Sequence, residues 1–475
     1  MKLLEKWRGL SAGVKASAAY FFAGVVSLGM GYITTPVFTN MLSPEEFGQA
    51  SAFLTWVQVL GIIAMFCLSY GVFNNGMVEH PDDRNGYTYS MLILSNLITL
   101  AFSAVLLLLY PVLKDLLKMD LRLVLLMCGL FLVQPAFNLW QTWQRYEYRY
   151  KAVIFFSLLL AIAAPAVSII AVCAAPEGER LYPRLFGMEL TMIAIYAGFH
   201  LYLGIRNRFR VKTEYWKAAV LFNLPLIPHY LSTYLLSGSD KLMIEHLVGD
   251  AAVAYYSVAH TTAAVVLVVW TAVNSSLLPY TYEKCKTEDF SAIDRFTRPI
   301  LLLFGICCTA LIMFAPEVVR IVSNEHYMEA VSVIPPIIGG LFFQVQYYIY
   351  ANILYYYKKP AGVMAGSVTA TVLNLVLNYV FIRKYGYAAA GYTTLISYIV
   401  QAVIDCAVMR RAVGRDIYNM KQILYMSVGM TVISLTGGFL YGMPAVRYGI
   451  LLVMVALAVV FRKRIAGIIS TVRKS

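Results

Sequence analysis

Long apolar runs recur along the whole chain, separated by short polar connections. They fall near 14–37, 47–73, 87–110, 121–143, 152–174, 183–204, 217–238, 251–279, 297–319, 331–356, 361–382, 388–409, 420–441 and 446–462. A spanning helix needs about 20 mostly apolar residues, so the pattern predicts about fourteen transmembrane helices. The last two are separated by a tight Tyr441-Gly442-Met443-Pro444 turn. The longest polar pieces, near 205–216 and 282–296, are too short for a soluble domain. No Walker or Gly-rich phosphate loop is present, so ATP does not drive this protein through its own chain. The expected class is an all-α integral membrane protein.

Composition agrees. The chain is 60% hydrophobic and 13% charged, against about 25% charged in a soluble domain. A net charge of +13 could suggest nucleic acid. Here the basic residues sit in short clusters between apolar runs, which fits cytoplasmic loops facing anionic lipid instead. With both termini inside, the inner connections collect 28 of the 38 Lys and Arg residues and the outer ones 10. Arg84, alone in its inner loop, and the outer trio Lys114, Lys118 and Arg122 fit this bias least well. Met1 to Lys15 reads as a short amphipathic basic lead, unlike a cleaved signal peptide. None of the seven cysteines has CxxC spacing, so they read as small hydrophobes rather than metal ligands.

Weak sequence echoes recur at a near-constant offset. Phe47-Gly48-Gln49-Ala50-Ser51 follows the first run, and Val253-Ala254-Tyr255-Tyr256-Ser257 lies 206 residues later. Gly178 and Gly386 precede runs six and twelve, 208 apart. The ends of runs four and ten, around Trp143 and Tyr355, fit the same step. Transporters are often built from such repeats. The expected organisation is two pseudo-symmetric six-helix lobes, 1–204 and 217–410, joined by a basic linker at 205–216. Helices thirteen and fourteen with a basic tail, 411–475, are an addition.

Charged side chains at a helix centre cost about 2.5–3.5 kcal/mol on insertion scales, so intramembrane polar groups usually face protein or water. Gln134, Asn138, Gln141 and Arg145 lie on one face of run four, and Gln344, Tyr348 and Asn352 mark run ten. Equivalent polar faces on either side of a central lumen would suit sugars, whose hydroxyls need donors and acceptors and whose ring faces stack on aromatics. Interhelical hydrogen bonding is the other reading. In run seven, His229, Ser232, Thr233 and Asp240 form one polar stripe, with Pro225 and Pro228 as bends. His229 is expected to line the cavity. Asp240 and Lys241 either do the same or mark where the helix leaves the bilayer. Arg145, Arg149 and Lys358, at inner helix ends, are candidates to meet a pyrophosphate, or serve topology alone. Glu189, Asp240 and Asp405 are candidates for a coupling ion; partnered structural roles are the alternative for Glu189 and Asp405. No catalytic motif such as HExxH or GxSxG appears, and no cofactor is expected.

Leu42-Ser43-Pro44-Glu45-Glu46-Phe47-Gly48 after run one, Pro225-Leu226-Ile227-Pro228-His229 with Ser237-Gly238-Ser239-Asp240-Lys241 in run seven, and Tyr385-Gly386-Tyr387-Ala388-Ala389-Ala390-Gly391-Tyr392-Thr393-Thr394 into run twelve carry a resemblance. The chain resembles the Wzx-type polysaccharide flippases of the multidrug/oligosaccharidyl-lipid/polysaccharide exporter superfamily. The resemblance implies an alternating-access transporter in a bacterial or archaeal cytoplasmic membrane. It implies a polyprenyl-pyrophosphate-linked oligosaccharide as substrate, moved to the outer leaflet for cell-surface polysaccharide synthesis. Membrane lipids, a polysaccharide polymerase and glycosyltransferases are the implied partners; nucleic acid is not. The competing expectation is a cation-coupled multidrug exporter of the same superfamily. It would want an acid-containing pocket in the first lobe, where runs one to three carry no mid-span acid.

Overall fold

The computed structural model describes residues 12–147 and 149–460; the expected basic tail and most of the basic lead lie outside these. Among the described residues every regular element is a helix. In chain order they are α1 (Ala12–Met41), α2 (Pro44–Ala64), α3 (Gly71–Glu79), α4 (Arg84–Leu117), α5 (Leu121–Tyr146), α6 (Tyr150–Cys173), α7 (Leu181–Arg206), α8 (Glu214–Asn223) and α9 (Ile227–Leu247). Then come α10 (Asp250–Lys286), α11 (Phe290–Met313), α12 (Ala315–Val322), α13 (Ile334–Tyr356), α14 (Pro360–Tyr385), α15 (Ala388–Val413), α16 (Met420–Thr436) and α17 (Pro444–Val460). Twelve described helices are long and apolar enough to cross a membrane, and a shorter apolar helix covers Pro444–Ala456. The expected count of fourteen is not confirmed among the described residues. The first expected run falls on α1 and the last on α17, which Pro444 starts. Leu108, Val112 and Leu221 are among many exposed aliphatic side chains, a surface suited to acyl chains rather than water.

The chain divides into two compact units, Met1–Tyr234 and Leu235–Ser475. In the first, Phe137, Trp140, Phe156, Tyr196 and Phe199 form an aromatic core joining α5, α6 and α7, with ring centroids 4.5 Å apart for Trp140 and Phe199. Helices α6 and α7 approach so closely that a Cβ on Gly187 would lie 2.7 Å from the Ser168 Cα, the small-residue contact that membrane helices use. In the second unit α13 is the central helix, with 78% of its span buried, packed mainly on α15 and α10.

Connections gather at the ends of each unit through specific bonds. In the first unit Arg84 pairs with Glu147 at 3.0 Å, and the linker residue Lys212 reaches Asp83 at 2.7 Å. The hydrogen bond to Asp83 raises the Lys212 pKa above its ordinary value. In the second, Arg415 meets Glu288 at 3.0 Å while Asp294 accepts from the Asn419 amide. The Ser43-Pro44-Glu45-Glu46 segment is a capping box: the Glu46 amide donates to the Ser43 hydroxyl, and the Ser43 amide to the Glu46 carboxylate. The same carboxylate accepts from the Arg180 and Leu181 amides at the start of α7.

Two expected spans are not single helices. The run at 47–73 breaks after Ala64, because Phe66 and Cys67 adopt left-handed φ values of 56° and 49°. The run at 217–238 is α8 and α9 joined by a 3-10 turn at Leu224–Leu226, where Pro225 supplies no amide hydrogen.

Candidate functional site

The first unit holds a polar pocket at the helix break. Between α2 and α3, residues 65–70 leave the α-helical path inside an apolar stretch. Three side chains from neighbouring helices take up the freed carbonyls. Thr99 donates to the Ala64 oxygen at 2.9 Å, Ser95 to Met65 at 3.3 Å, and Asn223 to Phe66 at 2.9 Å. Non-helical backbone at membrane depth survives only when buried in protein or lining a cavity. Here it does both. A cavity of about 130 Å³ is lined by Gln58, Ser69, Tyr70, Gln134, Asn138 and Tyr234. Tyr70 also stacks on Tyr230 at 5.4 Å. By contrast α10, which begins 206 residues after α2, runs unbroken from Asp250 to Lys286.

The second unit buries a polar cluster around Asp240. Its carboxylate accepts from Asn378 at 2.6 Å, from Thr394 at 2.7 Å and from the Tyr256 hydroxyl. The Asn378 amide also donates to Asn374 at 3.0 Å, and its oxygen accepts from Thr393. Asn374 in turn donates to Thr394 at 3.1 Å. These side chains come from α9, α10, α14 and α15 and are all buried. Asp240 is 2% exposed and lies inside α9, which continues to Leu247. Desolvating a carboxylate costs several kcal/mol, and three donors to one anion offset much of that.

The remaining expected residues are dispersed. Gln141 donates to Ser157 of α6 at 3.3 Å, and Asn352 to Asn274 of α10 at 3.1 Å. These two are used between helices. Tyr348 stacks on Trp270, centroids 6.4 Å apart, and the Gln344 side-chain oxygen is buried without a hydrogen-bond partner. His229 is half-buried beside Tyr230. Arg145 and Lys358 are exposed. Arg149 is exposed too, with Lys151 at an apolar groove of about 840 Å³ lined by Trp140, Phe156 and Phe199. Glu189 and Asp405 are buried, and both Asp405 oxygens lack a hydrogen-bond partner. Sequence reasoning missed Tyr256, Asn374 and Asn378. The two asparagines one turn apart, in the middle of an apolar run, were the available signal.

The family described as "Polysaccharide biosynthesis protein" matches residues 14–283. The chain belongs to the polysaccharide biosynthesis protein family. The MatE family also matches, over residues 225–380. The "Lsg locus putative protein 1" of Haemophilus influenzae is 22% identical over 375 residues, 76% of this chain and 88% of that protein. The "Probable low-salt glycan biosynthesis flippase Agl15" of Haloferax volcanii is 25% identical over 199 residues, 41% of this chain and 42% of that one. Among solved structures, the lipid II flippase MurJ in an inward closed conformation superposes with a TM-score of 0.66 at 14% identity, covering 95% of this chain and all of that one. An inward-facing MATE family transporter of the MOP superfamily gives 0.60 at 14%, covering 82% and 95%. The chain is thus a multi-pass membrane protein with the fold of that superfamily.

Proposed function

We propose that the protein is a flippase for polyprenyl-pyrophosphate-linked oligosaccharide, moving it from the cytoplasmic to the outer leaflet by alternating access. The observation that carries this reading is the lining of the pocket at the helix break. Amides, hydroxyls and phenols from Gln58, Ser69, Tyr70, Gln134, Asn138 and Tyr234 match a neutral, hydroxylated ligand. A cationic drug would call for an acid there. Family membership and the name of the Haloferax relative support the same substrate class. At about 130 Å³ the pocket is below the ~300 Å³ at which ligand sites begin. Transport therefore requires it to open, and the left-handed turn at Phe66 and Cys67 is where the backbone can bend. The polyprenyl tail stays in lipid while the headgroup crosses, with Arg145, Arg149 and Lys358 as the residues to meet the pyrophosphate. Of the three carboxylates, Asp240 is assigned the coupling ion. Its neighbours supply hard oxygen donors suited to a proton or an alkali cation. Both termini face the cytoplasm in this scheme, and the lobes 1–204 and 217–410 are the moving parts.

Deleting the gene should accumulate undecaprenyl-linked glycan on the cytoplasmic face of the membrane. A plasmid carrying the wild type should clear it, and Gln134→Ala with Asn138→Ala should not. Unchanged glycan with heightened sensitivity to cationic drugs would establish the exporter alternative instead.

A further inference from the structure

A second polar depression lies in the second unit, at the ends of α11 and α16 opposite the Arg415–Glu288 pair. It occupies about 830 Å³, well within the range of ligand sites. Three separate connections build it: the stretch from α12 through the 3-10 helix Glu325–Val333, the start of α15, and the 3-10 turn Gly437–Gly442 leading into α17. Four tyrosines, Tyr387, Tyr392, Tyr441 and Tyr448, line it.

Its wall is rigid. Arg447, 3% exposed, forks onto Glu317 with nitrogen–oxygen distances of 2.9 and 3.0 Å. It also donates to the Met313 carbonyl at 2.6 Å, and its Nε is buried without an acceptor. Tyr448 donates to the same Glu317 carboxylate at 2.7 Å, and Tyr441 to the Ile312 carbonyl at 3.1 Å. Bidentate Arg–carboxylate pairs fix geometry as well as charge. Tyr392 and Tyr448 nevertheless keep 39% and 42% of their surface exposed.

Charge decides what fits. Glu317 and Glu329 balance Arg320 and Arg447 in the lining, so a phosphate gains little there. An interfacial aromatic belt presents rings to lipid headgroups, whereas these rings share one concavity with a part-buried ion pair and Ser332. Ring faces, planar charged forks and hydroxyls together match a saccharide, with its apolar C–H face and rim of hydroxyls.

We propose that this depression binds the sugar portion of the transported glycan, as an exit-side site distinct from the pocket at the helix break. The assignment rests on the flippase reading for its sidedness and not for its chemistry. The test uses the full chain in lipid nanodiscs on an array of defined, free oligosaccharides lacking any lipid or pyrophosphate, followed by titration of the strongest ligand. Binding is expected, weakened at least about tenfold by Tyr392→Ala, the loss expected of a contact residue worth ~1.4 kcal/mol. Tyr425→Ala, an exposed tyrosine outside the depression, should change nothing. No glycan bound, or equal binding by Tyr392→Ala, overturns the site. Because the array needs no translocation, binding by a protein that fails to flip keeps this site and removes only the flippase reading.

Discussion

Glu46 offers the sharpest test of how the first unit is held together. Its carboxylate, 7% exposed, accepts from three backbone amides: Ser43 at 3.0 Å, Arg180 at 2.6 Å and Leu181 at 3.3 Å. One side chain thus caps the starts of both α2 and α7. Glu46→Ala leaves all three donors without that acceptor, while the Ser43 hydroxyl still caps α2. Hydrogen bonds to a charged group contribute about 1.5–3 kcal/mol each, and water entering a part-buried site recovers some of this, so about 3 kcal/mol is expected overall. At roughly 2–4 °C per kcal/mol for a unit of this size, melting should fall by about 6–12 °C. Glu46→Gln keeps an acceptor oxygen without the charge and should lie between. The adjacent Glu45 is exposed, so Glu45→Ala should stay within about 0.5 kcal/mol, the usual range for a surface change. Unfolding of such a protein is commonly irreversible, so all variants are compared in one detergent at one heating rate, by loss of the monodisperse chromatographic peak. If Glu46→Ala and Glu45→Ala melt together, the double cap is not holding these helices.

A matched pair on α7 probes helix packing. Gly187→Ala would set a Cβ 2.7 Å from the Ser168 backbone and should cost about 1–3 kcal/mol, whereas Gly198→Ala meets nothing within 4 Å and should be neutral or mildly stabilising; equal melting temperatures would refute the close approach. The third expectation concerns pH. Burial pushes the Glu317 carboxyl up, but hydrogen bonds from Arg447 and Tyr448 outweigh it and leave its pKa below the ordinary value. A depressed carboxyl contributes stability above its unfolded pKa and loses it as pH falls through the folded value. Hydrogen exchange at 313–333 and 437–448 should therefore quicken on acidification below the usual glutamate range, about pH 4. In Glu317→Gln that pH dependence should vanish, and its persistence would place the titration elsewhere.

Much of this molecule was legible from residue order alone. Apolar runs of spanning length leave a helix as the only way to satisfy backbone groups in lipid, so class and approximate spans followed from hydropathy. The Ser43-Pro44-Glu45-Glu46 box starts α2 by local chemistry, since a capping box closes within four residues, whereas hydropathy alone began that run at 47. Gln134 and Asn138 were visible as costly polar groups on one helix face, and both line the pocket at the break.

Tertiary packing decided the rest. Met65 to Tyr70 reads as helix in any window of hydropathy, since its composition stays apolar. The break exists because Ser95, Thr99 and Asn223, distant in sequence, are there to receive its carbonyls. Gln141 and Gln134 look alike on paper, yet one meets Ser157 and the other faces a cavity, a choice made by which neighbour stands opposite. The charge of Asp240 was plain from the sequence. That it turns inward to Asn378, Thr394 and Tyr256 depended on three helices converging, and periodicity along a single helix carries no record of its partners.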